Sequence, residues 1–400
     1  MAPSAVMDDD NLLLLSLLAG CHFRVIVSIL YDAEFKALLP DDQRKARSRR
    51  IPRCALVHMD YSPYRALYIS RNDQSFITFT GLDYKSFQYL LTKFRRLYNR
   101  YSPYVVDGKL VDVQHQGGSR GRPRSLDAAG CLGLALGYTR TKGGVFGLQM
   151  IFGVSYSVLL VFLKYSLRLL YKVLLEEDGA KVQLPSLDKI AEYQEVIRVN
   201  YPALEGTWCV MDGLKLPIQK SGDETMQNAY YNGWLHDHLV GSVYIFAPSG
   251  LIVACCVNAP GSWHDSIVAE NGGLYSDLKV VHDATGGKCV ADSAFSLKRC
   301  PFIIKSGKRK VGETAARTVQ RRQATHLRQS AEWGMRAIQG SFPRLKDRFI
   351  FSGDPRDRQL FMHLIPLLLN FRTNFVGLNQ LQSTFYPDFE HWGDNVYDMF

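Results

Sequence analysis

Three acidic residues stand where a mixed domain could gather them. Asp212 follows the apolar run Trp208–Met211 and precedes Gly213. Asp292 follows a second strand-like run, Gly287–Ala291, and Glu332 lies within a helical pattern spanning 318–340. An apolar strand that ends in Asp projects its carboxylate at a sheet edge, partly solvated yet held by a rigid element. A cluster of oxygen donors with little His or Cys suits Mg²⁺ or Mn²⁺ rather than Zn²⁺. Two such ions roughly 3.5–4 Å apart can activate a water or a 3′-hydroxyl and stabilise the leaving oxygen of a phosphodiester. Taken singly, each acid reads better as a surface turn or helix residue.

Further polar residues surround them. Pro260-Gly261-Ser262-Trp263-His264-Asp265 follows a strand and opens a helix, so Ser262 or Asp265 is a candidate cap. Asp265 is also a candidate fourth metal ligand, with His264 orienting DNA or a water. His236 and His238 form an HxH pair with no third ligand evident, which reads as structural or solvated. Between the second and third acids, residues 305–328 carry eight Lys and Arg against Glu313 alone. Acids by themselves repel DNA, so a basic stretch beside them meets the need for phosphate contacts from Arg317, Arg321, Arg322 and Arg328. Read without the acids, it is a solvated loop.

The elements that must position these residues are legible as patterns. From Trp208 onward short strands alternate with helices: Trp208–Met211, the hairpin strands Leu239–Phe246 and Leu251–Val257 around Ala247-Pro248-Ser249-Gly250, a helix over 264–271, a strand over 287–291, and helices over 318–340 and 357–371. That order predicts an α/β domain with a mixed sheet over 205–378. An acidic tail is expected over 379–400. Upstream the periodicity is helical. Phe87, Leu90, Leu91, Phe94 and Leu97 mark a helix over 84–100, and 126–138 another. Val145–Phe152, the corner Gly153-Val154-Ser155 and Tyr156–Leu174 spell helix, turn, longer helix, which predicts a helix-turn-helix DNA-binding region over 84–178. Its second helix would present Ser155, Ser157, Lys164 and Arg168 to DNA. The apolar content of 158–163 equally fits an ordinary helical hairpin of a core.

The first 83 residues read as a helix over Asn11–Leu39, capped by Asp10 or Asn11, then a basic linker with six Lys or Arg in residues 44–53. That linker fits a solvated connection, a nuclear-import signal or a phosphate-contacting arm. Arg120-Gly121-Arg122-Pro123-Arg124 resembles a minor-groove hook, or is a plain basic linker.

Composition narrows the classes. Of 400 residues, 46% are hydrophobic and 22% charged, which excludes wholesale disorder, and the net charge of +10 favours a polyanionic partner. The eight cysteines form no CxxC pair, which argues against a disulfide framework or a cysteine zinc site. The apolar stretches Leu12–Leu18 and Met150–Leu163 fall short of the roughly 20 residues a membrane span needs. A soluble intracellular chain with no membrane partner is expected.

The stretch over roughly 205–375 resembles the DDE endonuclease domain of Harbinger-type transposases, a branch of the IS5-like group. The resemblance rests on Met211-Asp212-Gly213, Tyr230-Tyr231-Asn232-Gly233-Trp234, Asn258-Ala259-Pro260-Gly261-Ser262-Trp263-His264-Asp265-Ser266, Ala291-Asp292-Ser293-Ala294-Phe295 and Ala331-Glu332-Trp333-Gly334-Met335-Arg336, in the family's order. It implies an RNase H-like fold, with Asp212, Asp292 and Glu332 as a triad holding Mg²⁺ or Mn²⁺, two ions in all. The implied activity is DNA strand cleavage and joining at transposon terminal sequences. A nuclear location, a homo-oligomer and a separate DNA-binding partner protein are further expectations. The alternative is a domesticated protein that binds DNA through its helix-turn-helix region without cleaving.

Overall fold

A computed structural model describes residues 51–104, 109–113, 123–295, 300–307, 311–348 and 355–386. The helix expected over Asn11–Leu39, the basic run as far as Arg50, most of the hook-like loop, Lys308–Lys310 and the acidic stretch from 387 lie outside the described residues.

The amino-terminal half is helical: α1 Pro63–Ser70, α2 Asp73–Thr80, α3 Tyr84–Arg100, α4 Ala128–Arg140, α5 Phe146–Phe152, α6 Tyr156–Leu175 and α7 Leu187–Asn200. In α3 the apolar positions Phe87, Leu90, Leu91 and Phe94 are all buried, as their spacing predicts. Asp127 caps α4 by accepting the Gly130 N–H. That helix is buried from Ala128 to Thr139 and forms the centre of the helical layer. Helices α5 and α6 meet at 90° across Gly153, whose φ of 64° is the left-handed corner that a side chain disfavours. Among the described residues, no single helix is long and apolar enough to cross a membrane.

The carboxyl-terminal half is α/β: β1 Thr207–Pro217, α8 Glu224–Tyr230, β2 Tyr231–Asn232, β3 Asp237–Phe246, β4 Ile252–Pro260, α9 Asp265–Asn271, α10 Leu274–Thr285, β5 Lys288–Ala291, β6 Ile303–Lys305, α11 Ala315–Ser341, α12 Pro355–Val376 and α13 Gln380–Phe385. Strand β3 pairs antiparallel with β1 and β4, while β5 is parallel to both β1 and β6. This mixed sheet with flanking helices is compatible with an RNase H-like domain. Strand alternation divides the side chains between two cores. Val210, Leu214, Leu216, Tyr244, Phe246 and Val290 face α11, α12 and the helical layer. Cys209, Met211, Val243, Ile245, Cys289 and Ala291 face α7, α9 and α10. The first core is continuous from Tyr64 to Phe385, so the helical layer and the sheet share it.

One buried ion pair ties the halves together. Arg168 of α6, 11% exposed, donates to Asp357 of α12 at 2.6 Å, and Lys164 lies 3.0 Å from the same carboxylate. Removing one partner of such a pair strands the other charge in the interior. Asp357→Ala should therefore cost about 3 kcal/mol, read as a lowered midpoint in urea unfolding. A loss of stability under about 0.5 kcal/mol would show that this contact does not hold α6 to α12.

Candidate active site

Two acids are brought together by strand register. In the parallel pair β1–β5, Val210 lies across from Val290 and Met211 across from Ala291. The next residues on the two chains are Asp212 and Asp292, on strands ~4.8 Å apart and on the face that carries Val210 and Val290. Asp212 was expected to end its strand. It lies instead within β1, which continues to Pro217 because Leu214 and Leu216 keep burying the same face. Asp292 leaves the sheet immediately after Ala291, and its carboxylate accepts the Ala294 N–H at 2.8 Å.

The third acid arrives on α11, which packs over β1, β5 and β6. Its buried face runs through Ala324, Leu327, Ala331, Gly334, Met335 and Ile338. Gly334 lets the helix lie close, since a Cβ there would sit 2.7 Å from the Phe246 ring. Glu332 is thereby presented above Asp212. Between them lies Arg328, one helical turn earlier. Its guanidinium donates to Glu332 at 2.7 Å and stands 3.8 Å from Asp212 Oδ2.

Burial pushes the Asp212 carboxyl up from 3.8 to about 6, and the neighbouring Asp292 and Asp265 push in the same direction. The Gly213 N–H and Arg328 oppose that shift without cancelling it. The cluster is thus short of positive charge, and its donors are oxygens only, so it fits a hard divalent cation. Asp212 and Asp292 would hold one side and Glu332 the other. Among the described residues, no three His, Cys, Asp or Glu side chains close to metal-binding distance, and Arg328 supplies the cationic charge.

Asp265 takes another place. A Cβ on Gly213 would meet its carboxylate at 2.4 Å, so Gly213 is the residue that makes room for it. Lys215 stands 3.2 Å from Asp265 and donates to the Trp263 carbonyl at 2.7 Å. Gly213 and Lys215 alternate with Asp212 along β1, which puts Asp265 on the opposite face, against the strand that carries the first acid. It makes no side-chain cap, and His264 holds the cap position of α9. His238 is buried with neither ring nitrogen hydrogen-bonded, whereas His236 is exposed, so the HxH pair does not converge.

The basic residues divide. Arg317 and Arg322 are exposed along the first turns of α11. Arg321 is bound to the buried Glu313. A groove of about 760 Å³ beside β6 is lined by His282, Lys288, Lys305, Arg317 and Arg321. Lys305 reaches the Ser293 carbonyl at 3.4 Å, which joins the groove to the Asp292 loop. In the helical layer Ser155 and Ser157 remain accessible at the start of α6, while Arg168 and Lys164 are engaged with Asp357. Sequence reasoning missed Lys215 as the partner of Asp265 and the bridging role of Arg328. The four-residue spacing of Arg328 and Glu332 was the available signal.

The fold is thus a mixed α/β domain in which strand register sets two acids side by side and a covering helix carries a third. Residues 211–370 match the family model described as DDE superfamily endonuclease, which indicates a transposase-type nuclease domain and implies a DNA substrate. Enzymes of that superfamily generally use divalent metals. No curated protein and no solved structure matches the chain.

Because its folded pKa lies above the unfolded value, Asp212 favours folding only where it is protonated. That contribution is full below about pH 4 and is lost as pH rises through about 6. Asp212→Asn should therefore stabilise the metal-free protein by about 2–3 kcal/mol at pH 7.5 and by little near pH 4. Thermal unfolding at the two pH values checks this; an equal gain at both would remove the buried carboxylate charge as the cause.

Proposed function

We propose that this chain is a Harbinger-type, metal-dependent DNA endonuclease and strand-transfer enzyme acting at transposon terminal sequences. The observation that carries the reading is the β1–β5 register, which sets Asp212 beside Asp292 under Glu332 within the matched region. Two Mg²⁺ or Mn²⁺ ions, when bound, would supply charge to the attacking and leaving oxygens of a phosphodiester. The chain's own residues do the rest. Asp212 and Asp292 offer carboxylates from rigid strands, and Glu332 completes the set from the helix. Arg328, freed from Glu332 when a cation takes its place, has a phosphate as its natural partner. Arg317 and Arg322, exposed on the same helix, extend that contact along the DNA backbone. Ser155 and Ser157, at the start of α6 beyond the 90° corner, offer a surface for reading the terminal sequence. Work on chromosomal DNA implies a nuclear location. A homo-oligomer bridging two ends and a separate DNA-binding partner protein both fit this role.

A second reading has one observation in its favour. Arg328 already bridges Asp212 and Glu332, an arrangement that suits a domesticated protein which binds DNA and no longer cleaves it.

Cleavage and gel-shift affinity on the same candidate terminal DNA separate the two. Asp292→Asn should lower cleavage by about three orders of magnitude, as loss of a transition-state electrostatic contact does. DNA affinity should stay level or rise, since one charge facing phosphate is gone. EDTA should abolish wild-type cleavage. Cleavage that survives either change places the chemistry elsewhere, and tight specific binding with no cleavage in Mg²⁺ or Mn²⁺ favours the second reading.

Arg317→Ala and Arg322→Ala should each flatten the salt dependence of binding by up to roughly 0.9 in log–log slope. Arg321→Ala should leave the slope nearly unchanged, because its charge is spent on Glu313. Identical slopes for all three variants would show that this side of α11 does not face DNA.

A further inference from the structure

Trp234 is 89% exposed, more than any other aromatic among the described residues, with Leu235 at 52% and Tyr231 at 41% beside it. It stands at the turn between β2 and β3, and that turn is braced from three sides. Asn232 Oδ1 accepts the N–H groups of Trp234 and Leu235 at 3.1 and 3.0 Å, while its Nδ2 donates to the Gly261 carbonyl at 2.7 Å. Tyr231 and Asn232 pair with His238 and Asp237. Asp237 is gripped by both terminal nitrogens of Arg348, at 3.0 and 2.8 Å, and Arg348 also binds the Ile218 carbonyl. The backbone that carries the ring is fixed before any partner arrives, so docking orders the side chain and little else.

The tip lies beyond the carboxyl end of β1, where Pro217 pairs with Leu239, and it is this direction along the parallel strands in which β5 delivers Asp292. A set of contacts ties the tip back along β1: Asn232 to Gly261, Trp263 to Lys215, Lys215 to Asp265, and Asp265 against Gly213, on the face of the strand opposite Asp212. Counting five residues from Asp212 to Pro217 and the length of the hairpin, the ring lies roughly 25 Å from Asp212 at ~3.4 Å per residue. That distance is about seven nucleotide steps at ~3.4 Å each. Lys220 and His236 are exposed nearby, and Asp237 is neutralised by Arg348, so the tip is compatible with a phosphate backbone passing it.

An indole offers one flat face that accepts any base, but a paired duplex hides its base faces inside the stack. We propose that Trp234 stacks on an unpaired or extruded nucleobase of the substrate DNA, about seven nucleotides from the phosphate presented to the acids. This rests on the endonuclease reading above. The hairpin would then hold the substrate strand where it leaves the duplex, and would set which side of the cleaved step must be melted.

The test uses the full chain carrying Asp292→Asn, so that the DNA stays intact, and two probes: a fully paired 30-mer and the same duplex opened into a fork with 2-aminopurine at successive positions in one arm. The protein with Trp234 should prefer the fork by roughly 5- to 100-fold, the worth of one base–aromatic stack, and should quench one 2-aminopurine position. Trp234→Ala should lose the preference and the quench while keeping duplex affinity, and Trp234→Phe should retain most of both. If Trp234→Ala binds and quenches as its parent does, the proposal is overturned. It is equally overturned if sedimentation shows Trp234→Ala converting a dimer to a monomer with fork preference intact, which assigns the tip to self-association. If the parent binds neither probe, the DNA reading of the acid site itself fails and this inference falls with it.

Discussion

The parallel pairing of β1 with β5 is the constraint on which the rest of the site depends. A register that sets Met211 against Ala291 commits Asp212 and Asp292 to neighbouring positions on one face, whatever the loops do. Burial of that position is the main reason the Asp212 carboxyl is pushed up to about 6, and the Asp292 charge beside it adds to the shift. The helix above answers that charge from two directions. Glu332 adds a third acid, and Arg328 adds the cation that keeps the group tolerable within the fold. A stability optimum would remove one of the acids. Their retention in the core-facing part of the sheet is a local conflict of the kind that functional sites carry.

The remainder of the molecule fixes that register in place. Alternation along β1, β3 and β5 sends one set of side chains into the core shared with α11 and α12 and the other into the core built on α9 and α10. A slip of one residue would exchange the two sets, so both cores specify the same pairing. Close approach at Gly334 seats α11, and the space left at Gly213 admits Asp265 without moving the first acid. The helical layer joins through α6 and α12, and its cations Lys164 and Arg168 serve that junction.

Much of this was legible in the sequence, and the parts that were not share a cause. Apolar alternation located the strands, and heptad-like spacing located α3 and α11, because burial of one face dictates both. Gly153 marked the corner between α5 and α6 because its backbone angle excludes a side chain. Contacts between residues far apart in the chain left no such trace. The apolar character of α6 was visible, but Asp357 lies 189 residues beyond Arg168, so the pairing that turns its cations inward was not. Asp265 was recognised as near the site, yet its position on the far face of β1 depends on Lys215 and on the path of the Pro260–His264 turn. The short strand β6 and helix α10 were also missed: three residues give no periodicity, and α10 follows α9 after only two glycines, Gly272 and Gly273.

The proposal at the centre is that Asp212, Asp292 and Glu332 together take up a divalent cation, and that Arg328 balances their charge in its absence. Calorimetric titration of Mn²⁺ into the metal-free wild type, Asp212→Asn and Arg328→Gln tests it directly. The wild type should bind saturably, Asp212→Asn at least roughly tenfold more weakly, and Arg328→Gln more tightly, since no guanidinium then competes for the same oxygens. Equal affinities in all three proteins, or weaker binding on loss of Arg328, would contradict it.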